Sequence, residues 1–176
     1  MLKEGMKIDD FKCVTVIGET TLKEIVNKQK FILVFLRFYG CRVTQYDLRD
    51  LSLYADEISK RGYKLIVVLQ SSIEIIKNAY IEKKFPFEII SDSLGKLYSL
   101  FEVKSAIDKE SLASENDKLK VKKADELGLK KGVLEGNPLQ LPAEFIFDGE
   151  MNLKYSYYGK TSGDILSQKE LLKRLD

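Results

Sequence analysis

The sequence predicts an α/β fold with a central mixed sheet and helices on both of its faces, and three observations carry that expectation. Two apolar runs without alternation, Phe31–Phe38 and Tyr63–Gln70, have the pattern of strands covered on both sides. The segments between and after them are amphipathic, with apolar residues at three- and four-residue steps. The chain then closes on an antiparallel hairpin pattern followed by a helix start, which adds antiparallel strands to a parallel core.

Taken in order, the segment around Phe11–Ile17 and Gly18 alternates weakly and suits short edge strands, an N-terminal hairpin. Thr21 and Glu24 have capping-box spacing for a short helix, Leu22–Asn27. After the first apolar run, Thr44, Leu48, Leu51, Ala55 and Ile58 mark a helix from Arg42 to Lys60, ended by Arg61-Gly62. Ser71 and Glu74 predict a second capping box, opening a helix with Ile73, Ile76 and Tyr80 inward. Beyond Pro86, Glu88–Ser91 reads as a short strand and Leu94–Phe101 as a short helix. Residues 104–135 turn charged and lysine-rich and read as an insertion, with a surface helix near Asp117–Leu127. Ala143–Asp148 and Leu153–Tyr158 form the hairpin, and Ser167 with Glu170 caps a last helix.

Length and composition bound the function. At 176 residues with 44% hydrophobic side chains, residues 1–176 are expected to be one domain with a sizeable core. Lys and Arg total 29 against 27 acidic residues, a net charge of +2 that gives no reason to expect a nucleic-acid or membrane partner. Met1–Asp10 lacks the apolar stretch of a secretory signal, and no stretch has the length of a membrane span, so the expectation is a cytoplasmic protein. With no histidine, the chain cannot build a Ser-His-Asp triad, a Cys-His pair or a His-containing zinc site. Two cysteines cannot make a four-cysteine metal site, and no metal or organic cofactor is expected. What remains is thiol chemistry or none.

Cys41 is the candidate for that chemistry. It follows an apolar strand and a Tyr39-Gly40 turn and stands where the Arg42–Lys60 helix begins. Unpaired N–H groups and the positive end of a helix dipole at such a junction favour the thiolate, the nucleophilic form. Cys41 also lies one turn before Thr44 on the apolar stripe, which turns its sulfur toward a pocket over the sheet. Three of the five arginines, Arg37, Arg42 and Arg49, cluster around it. Arg37, at the mouth of the strand, is the one expected to stabilise the sulfur, and Arg42 opposes the dipole of its own helix, a choice that stability alone does not favour.

Two segments, Phe35-Leu-Arg-Phe-Tyr-Gly-Cys41-Arg-Val-Thr44-Gln-Tyr-Asp-Leu and Glu135-Gly-Asn-Pro-Leu-Gln-Leu-Pro142-Ala-Glu-Phe-Ile, carry a family likeness. In them the chain resembles the AhpC/TSA-type, peroxiredoxin-like redoxins of the thioredoxin-fold superfamily. The resemblance runs from about Gly5 to the C-terminus and is weakest across 104–131. It implies a thioredoxin-like fold with an added N-terminal hairpin and reduction of peroxides or disulfides by a helix-capping cysteine. It further implies a thioredoxin- or glutathione-like thiol reductant, a homodimer, and a cis Pro142 facing Cys41. The chain departs from the Cys-x-x-Cys of these relatives by placing Thr44 at the second position, and Cys-x-x-Thr cannot close a disulfide within the motif.

That departure leaves several residues with two readings. The resolving thiol is Cys13, another subunit's cysteine or a small thiol, and for Cys13 packing is the simpler account. Thr44 is a packed wall residue or a hydrogen-bond donor to the sulfur. Tyr39, Gly40, Arg42, Gln140, Leu141 and Pro142 are expected around the pocket, although Gln140 and Glu135 would equally satisfy a turn's backbone. The leading function is a thiol peroxidase. Monothiol disulfide exchange and a non-enzymatic thioredoxin-fold binding module are the alternatives.

Overall fold

A computed structural model describes residues 1–175 of the chain. Seven strands form one sheet in the order β2-β1-β5-β4-β3-β6-β7. They are β1 Lys12–Thr15, β2 Gly18–Thr21, β3 Lys30–Phe35, β4 Tyr63–Leu69, β5 Glu88–Ser91, β6 Ala143–Phe147 and β7 Leu153–Tyr158. The central β3, β4 and β5 run parallel, while β6 pairs antiparallel with β3, β7 with β6, and the β1–β2 hairpin with β5. The helices are α1 Leu22–Val26, α2 Arg42–Lys60, α3 Ile73–Lys83, α4 Lys96–Leu100, α5 Lys109–Leu112, α6 Glu115–Glu126 and α7 Gln168–Leu172. The mixed thioredoxin-like sheet is the architecture expected from the sequence.

The period of two along β3 explains why helices cover both faces. Phe31, Leu33 and Phe35 enter one core with α1 and α4, whereas Ile32 and Val34 enter another with α2, α3 and α7. All five are fully buried, which is why this run shows no polar alternation. The strand nevertheless ends at Phe35, three residues before the apolar run does. Leu36 and Arg37 leave the ladder but stay tied to its neighbour, since Leu36 N donates to Val68 O and Gln70 N donates to Arg37 O. A break here lets the chain turn up over the sheet and hand Cys41 to α2.

Two of the three capping boxes expected from the sequence form. Thr21–Glu24 and Ser167–Glu170 form the expected reciprocal boxes. The Ser71–Glu74 box does not form: α3 is capped by Ser72 with no side-chain bond, because Ser71 Oγ accepts from Tyr39 N at 2.9 Å. A long-range bond that fixes the Cys41 turn has replaced a local one.

The charged insertion is docked onto the rest of the chain. Its helix α6 lies along α2, and its end returns beside the Tyr39-Gly40 turn, where Gly132 N donates to Gly40 O at 2.9 Å. A Cβ added at Gly40 would lie 2.1 Å from Val133 O, so only glycine permits this backbone approach.

Candidate active site

Cys41 caps α2, its backbone extended at φ −78° and ψ 124°. No side chain bonds the helix start and no acidic residue occupies its first turn, so nothing there competes with the sulfur for positive potential. Cys41 belongs to a small apolar group with Phe38 and Val43, against which Val121 of α6 packs, and the residue is only 9% exposed.

Arg37 is the charged group that reaches it. One guanidinium nitrogen, Nη1, donates to Cys41 Sγ at 3.1 Å, and Nη2 donates to the carbonyl of Pro138. The guanidinium also lies 5.2 Å from the ring centre of Phe38. Arg37 is itself 8% exposed, and its Nε is buried without a partner among the described residues. A desolvated cation held by a backbone carbonyl and an aromatic ring is a fixed donor, and it is one bond from the sulfur.

The other residues predicted for the site divide. Thr44 is 1% exposed and its hydroxyl bonds nothing among the described residues, so it lines the wall without holding the sulfur. Arg42 pairs with Asp125 of α6 and thereby serves the docking of the insertion. Tyr39, with Gln45, Arg49, Lys83 and Phe85, lines a cleft of about 340 Å³ between α2 and α3. Gln140 satisfies backbone: its Nε2 donates to Lys104 O and Leu141 O, and its Oε1 accepts from Gln70 Nε2. Glu135 likewise caps α3 by accepting from Ser72 N at 2.9 Å.

Leu141 and Pro142 bring the main correction. Every peptide bond among the described residues is trans, so the cis Pro142 implied by the resemblance is absent. Trans is the isomer that an X-Pro bond favours by about 0.5–1 kcal/mol, and the loop accommodates it. Leu141 N donates to Lys104 O, and Pro142 O accepts from Gly159 N. The cleft these residues line, about 300 Å³ with Tyr158 and Gly159 on its wall, does not include Cys41. The proline whose carbonyl touches the cysteine's partner is Pro138.

Cys13 lies in β1, and neither cysteine is in a disulfide. Two strands, β5 and β4, separate β1 from β3, a distance of roughly 14 Å across the sheet. Burial, reinforced by Asp10, Glu24 and Glu88, pushes the Cys13 thiol up to about 11.

A buried polar cluster that the sequence did not announce joins α2, α6, β6 and the segment 162–166. Asp47 Oδ1 accepts from Lys120 Nζ at 2.6 Å, and Lys120 also donates to Gly163 O at 2.7 Å. Asp117 Oδ1 accepts from Ser162 Oγ and Gly163 N, and Glu144 Oε2 accepts from Leu166 N at 2.6 Å. Burial raises Asp47 to about 7 against the pull of Lys120, and raises Glu144 to about 8. The only signal in the sequence was an aspartate placed one residue before Leu48 on a core stripe.

A helix-capping, buried cysteine over a mixed thioredoxin-like sheet defines the chain as a redoxin. Over residues 50–161, more than half its length, it matches the family model described as AhpC/TSA antioxidant enzyme, and it belongs to that family. The matched span begins after Cys41. No curated protein matches the sequence. Among solved structures it is similar to a mutant of peroxiredoxin 6 of Arenicola marina, at 17% identity and a TM-score of 0.76 over 100% of this chain and 73% of that one. A yeast mitochondrial 1-Cys peroxiredoxin, described with a thiol resolving mechanism via glutathione/thioredoxin systems, gives 16% identity and a TM-score of 0.68, covering 98% of this chain and 74% of that one. Peroxidoxin BcpB from Mycobacterium tuberculosis gives 17% and 0.65, covering 99% and 95%. At these identities the likeness establishes the fold.

Proposed function

We propose that the chain is a thiol peroxidase working through Cys41 alone. The observation that carries this reading is the Arg37 Nη1–Cys41 Sγ bond of 3.1 Å at the start of a long helix. The guanidinium and the positive end of the helix dipole both stand beside the sulfur that acts as nucleophile. The thiolate attacks one oxygen of a hydroperoxide, the S–O bond forms as the O–O bond breaks, and the electron pair leaves on the second oxygen. Cys41 becomes sulfenate, oxidised by two electrons, and the departing alkoxide or hydroxide takes a proton from water. One external thiol then converts the sulfenic acid to a mixed disulfide with loss of water, and a second releases the Cys41 thiol as the two external thiols leave as a disulfide. Arg37 Nε, a buried donor without a partner among the described residues, is available to a peroxide oxygen.

Resolution inside one chain by Cys13 is disfavoured by its place in the sheet, because a disulfide needs Cα atoms within about 7 Å. Disulfide exchange with protein thiols, the second enzymatic reading, is opposed by the burial of Cys41. A homodimer follows from the family analogy. The test is peroxide consumption coupled to a thiol. The protein should consume hydrogen peroxide catalytically, and Cys41→Ser should abolish consumption while leaving the circular dichroism spectrum unchanged. Equal rates for the two proteins would favour the binding-module reading instead.

A further inference from the structure

Arginine has a long, flexible side chain, so a guanidinium that stays on one sulfur has to be held there. Arg37 is held by Pro138 O, which accepts from its Nη2, and Pro138 lies in the loop that precedes β6. Whatever fixes that loop therefore fixes the donor to Cys41.

One side chain grips the loop on both sides of Pro138. Gln70, directly after β4 and 3% exposed, accepts from Asn137 N with its Oε1 at 2.8 Å and donates from its Nε2 to Gln140 Oε1 at 2.9 Å. A backbone N–H can only donate, so Asn137 dictates which way the Gln70 amide faces. Gln140 is committed in turn, because its own Nε2 donates to Lys104 O and Leu141 O. Gly136, at φ +58°, lets the loop come this close: a Cβ there would lie 2.5 Å from Gln70 Oε1 and 2.7 Å from Gln70 Cβ. The backbone of Gln70 completes the hold, since its N–H donates to Arg37 O at 3.2 Å. A buried amide costs free energy unless it is paired, and here its oxygen and its nitrogen both pair with the loop that carries Pro138.

We infer that Gln70 is a positioning residue for the chemistry of Cys41: its amide clamps residues 137–140 so that Pro138 O keeps the Arg37 guanidinium on the sulfur. The inference rests on the peroxidase reading above. Gln70 acts through Arg37, and that route separates it from a residue that merely supports the fold.

The experiment is a double-mutant cycle in a Cys13→Ala background, read as the rate of sulfenate formation with hydrogen peroxide. Gln70→Met keeps the length of the side chain and removes both amide bonds, while Gly136→Ala disturbs the same contact from the loop side. Each should slow sulfenate formation about three- to tenfold, the worth of a neutral hydrogen bond, and by less than about 1.5-fold where Arg37 is already Met. Circular dichroism establishes that each variant is folded, and Gly136→Ala carries the test alone should Gln70→Met not fold. Equal slowing with and without Arg37, or an unchanged rate in the folded variants, would overturn the positioning role. A wild type that forms no sulfenate removes the peroxidase reading instead. The same cycle, read as the iodoacetamide alkylation rate of Cys41, then decides Gln70: a change confined to the proteins that keep Arg37 upholds its role, and any other pattern overturns it.

Discussion

Arg37 Nη1 lies 3.1 Å from Cys41 Sγ, four residues along the chain, with both side chains buried and the guanidinium anchored on Pro138 O. A hydrogen bond from a charged donor is worth about 1.5–3 kcal/mol, a factor of roughly 10–100 in a rate that depends on that bond. Arg37→Met is therefore expected to slow sulfenate formation at neutral pH by that factor, read by stopped-flow trapping of the sulfenate. Arg37→Lys should recover only part of it, since one ammonium cannot serve both the sulfur and the carbonyl in the fork geometry of a guanidinium.

Glu144 sets a pH dependence of stability. Burial, with the charge of Asp47 adding to it, raises its carboxyl from 4.5 to about 8, outweighing the Leu166 N–H and Lys120. With the folded value above the unfolded one, its contribution is complete below about 4.5 and is lost as pH rises through about 8. Thermal unfolding midpoints should therefore fall between acid and mildly alkaline pH. Glu144→Gln keeps an acceptor for Leu166 N and should flatten that slope, stabilising the alkaline protein by about 1–3 kcal/mol.

Gly40→Ala tests the docking of the insertion. The new Cβ would meet Val133 O at 2.1 Å and the Gly132 carbonyl carbon at 2.7 Å, so one backbone has to move. A loss of about 1–3 kcal/mol is expected, with faster amide exchange across 128–134 than elsewhere. Unchanged exchange there would contradict the close approach.

Cys13→Ala should leave peroxide turnover within about twofold, the scatter expected of a residue with no part in the reaction. Its thiol is pushed up to about 11 by burial and three carboxylates, and it sits three strands from the strand that delivers Cys41. Mass spectrometry of the oxidised wild type should find no peptide joining Cys13 to Cys41. Such a peptide, within or between chains, would restore Cys13 as the resolving thiol.

Helix α2 was legible to the residue, Arg42–Lys60, because its apolar stripe and the Arg61-Gly62 stop are local signals. With it came Cys41 as the helix cap and Arg37 beside it. What the sequence concealed was long-range. Lys120 and Asp47 are 73 positions apart, and a lysine in a charged helix looks solvated until the fold buries it at 14% exposure. Ser71 looked like a helix cap and was claimed by Tyr39 N. Pro142 was expected opposite Cys41 in the cis form by analogy, and the bond is trans, with Pro138 supplying the carbonyl near the site.

The most direct test of the account is to treat the reduced protein with substoichiometric hydrogen peroxide, trap with a dimedone probe and read the modified residue by peptide mass spectrometry. The account predicts a sulfenate adduct on Cys41, none on Cys13, and a sharp loss of the Cys41 adduct in Arg37→Met. An unmodified Cys41 in folded wild-type protein would contradict it.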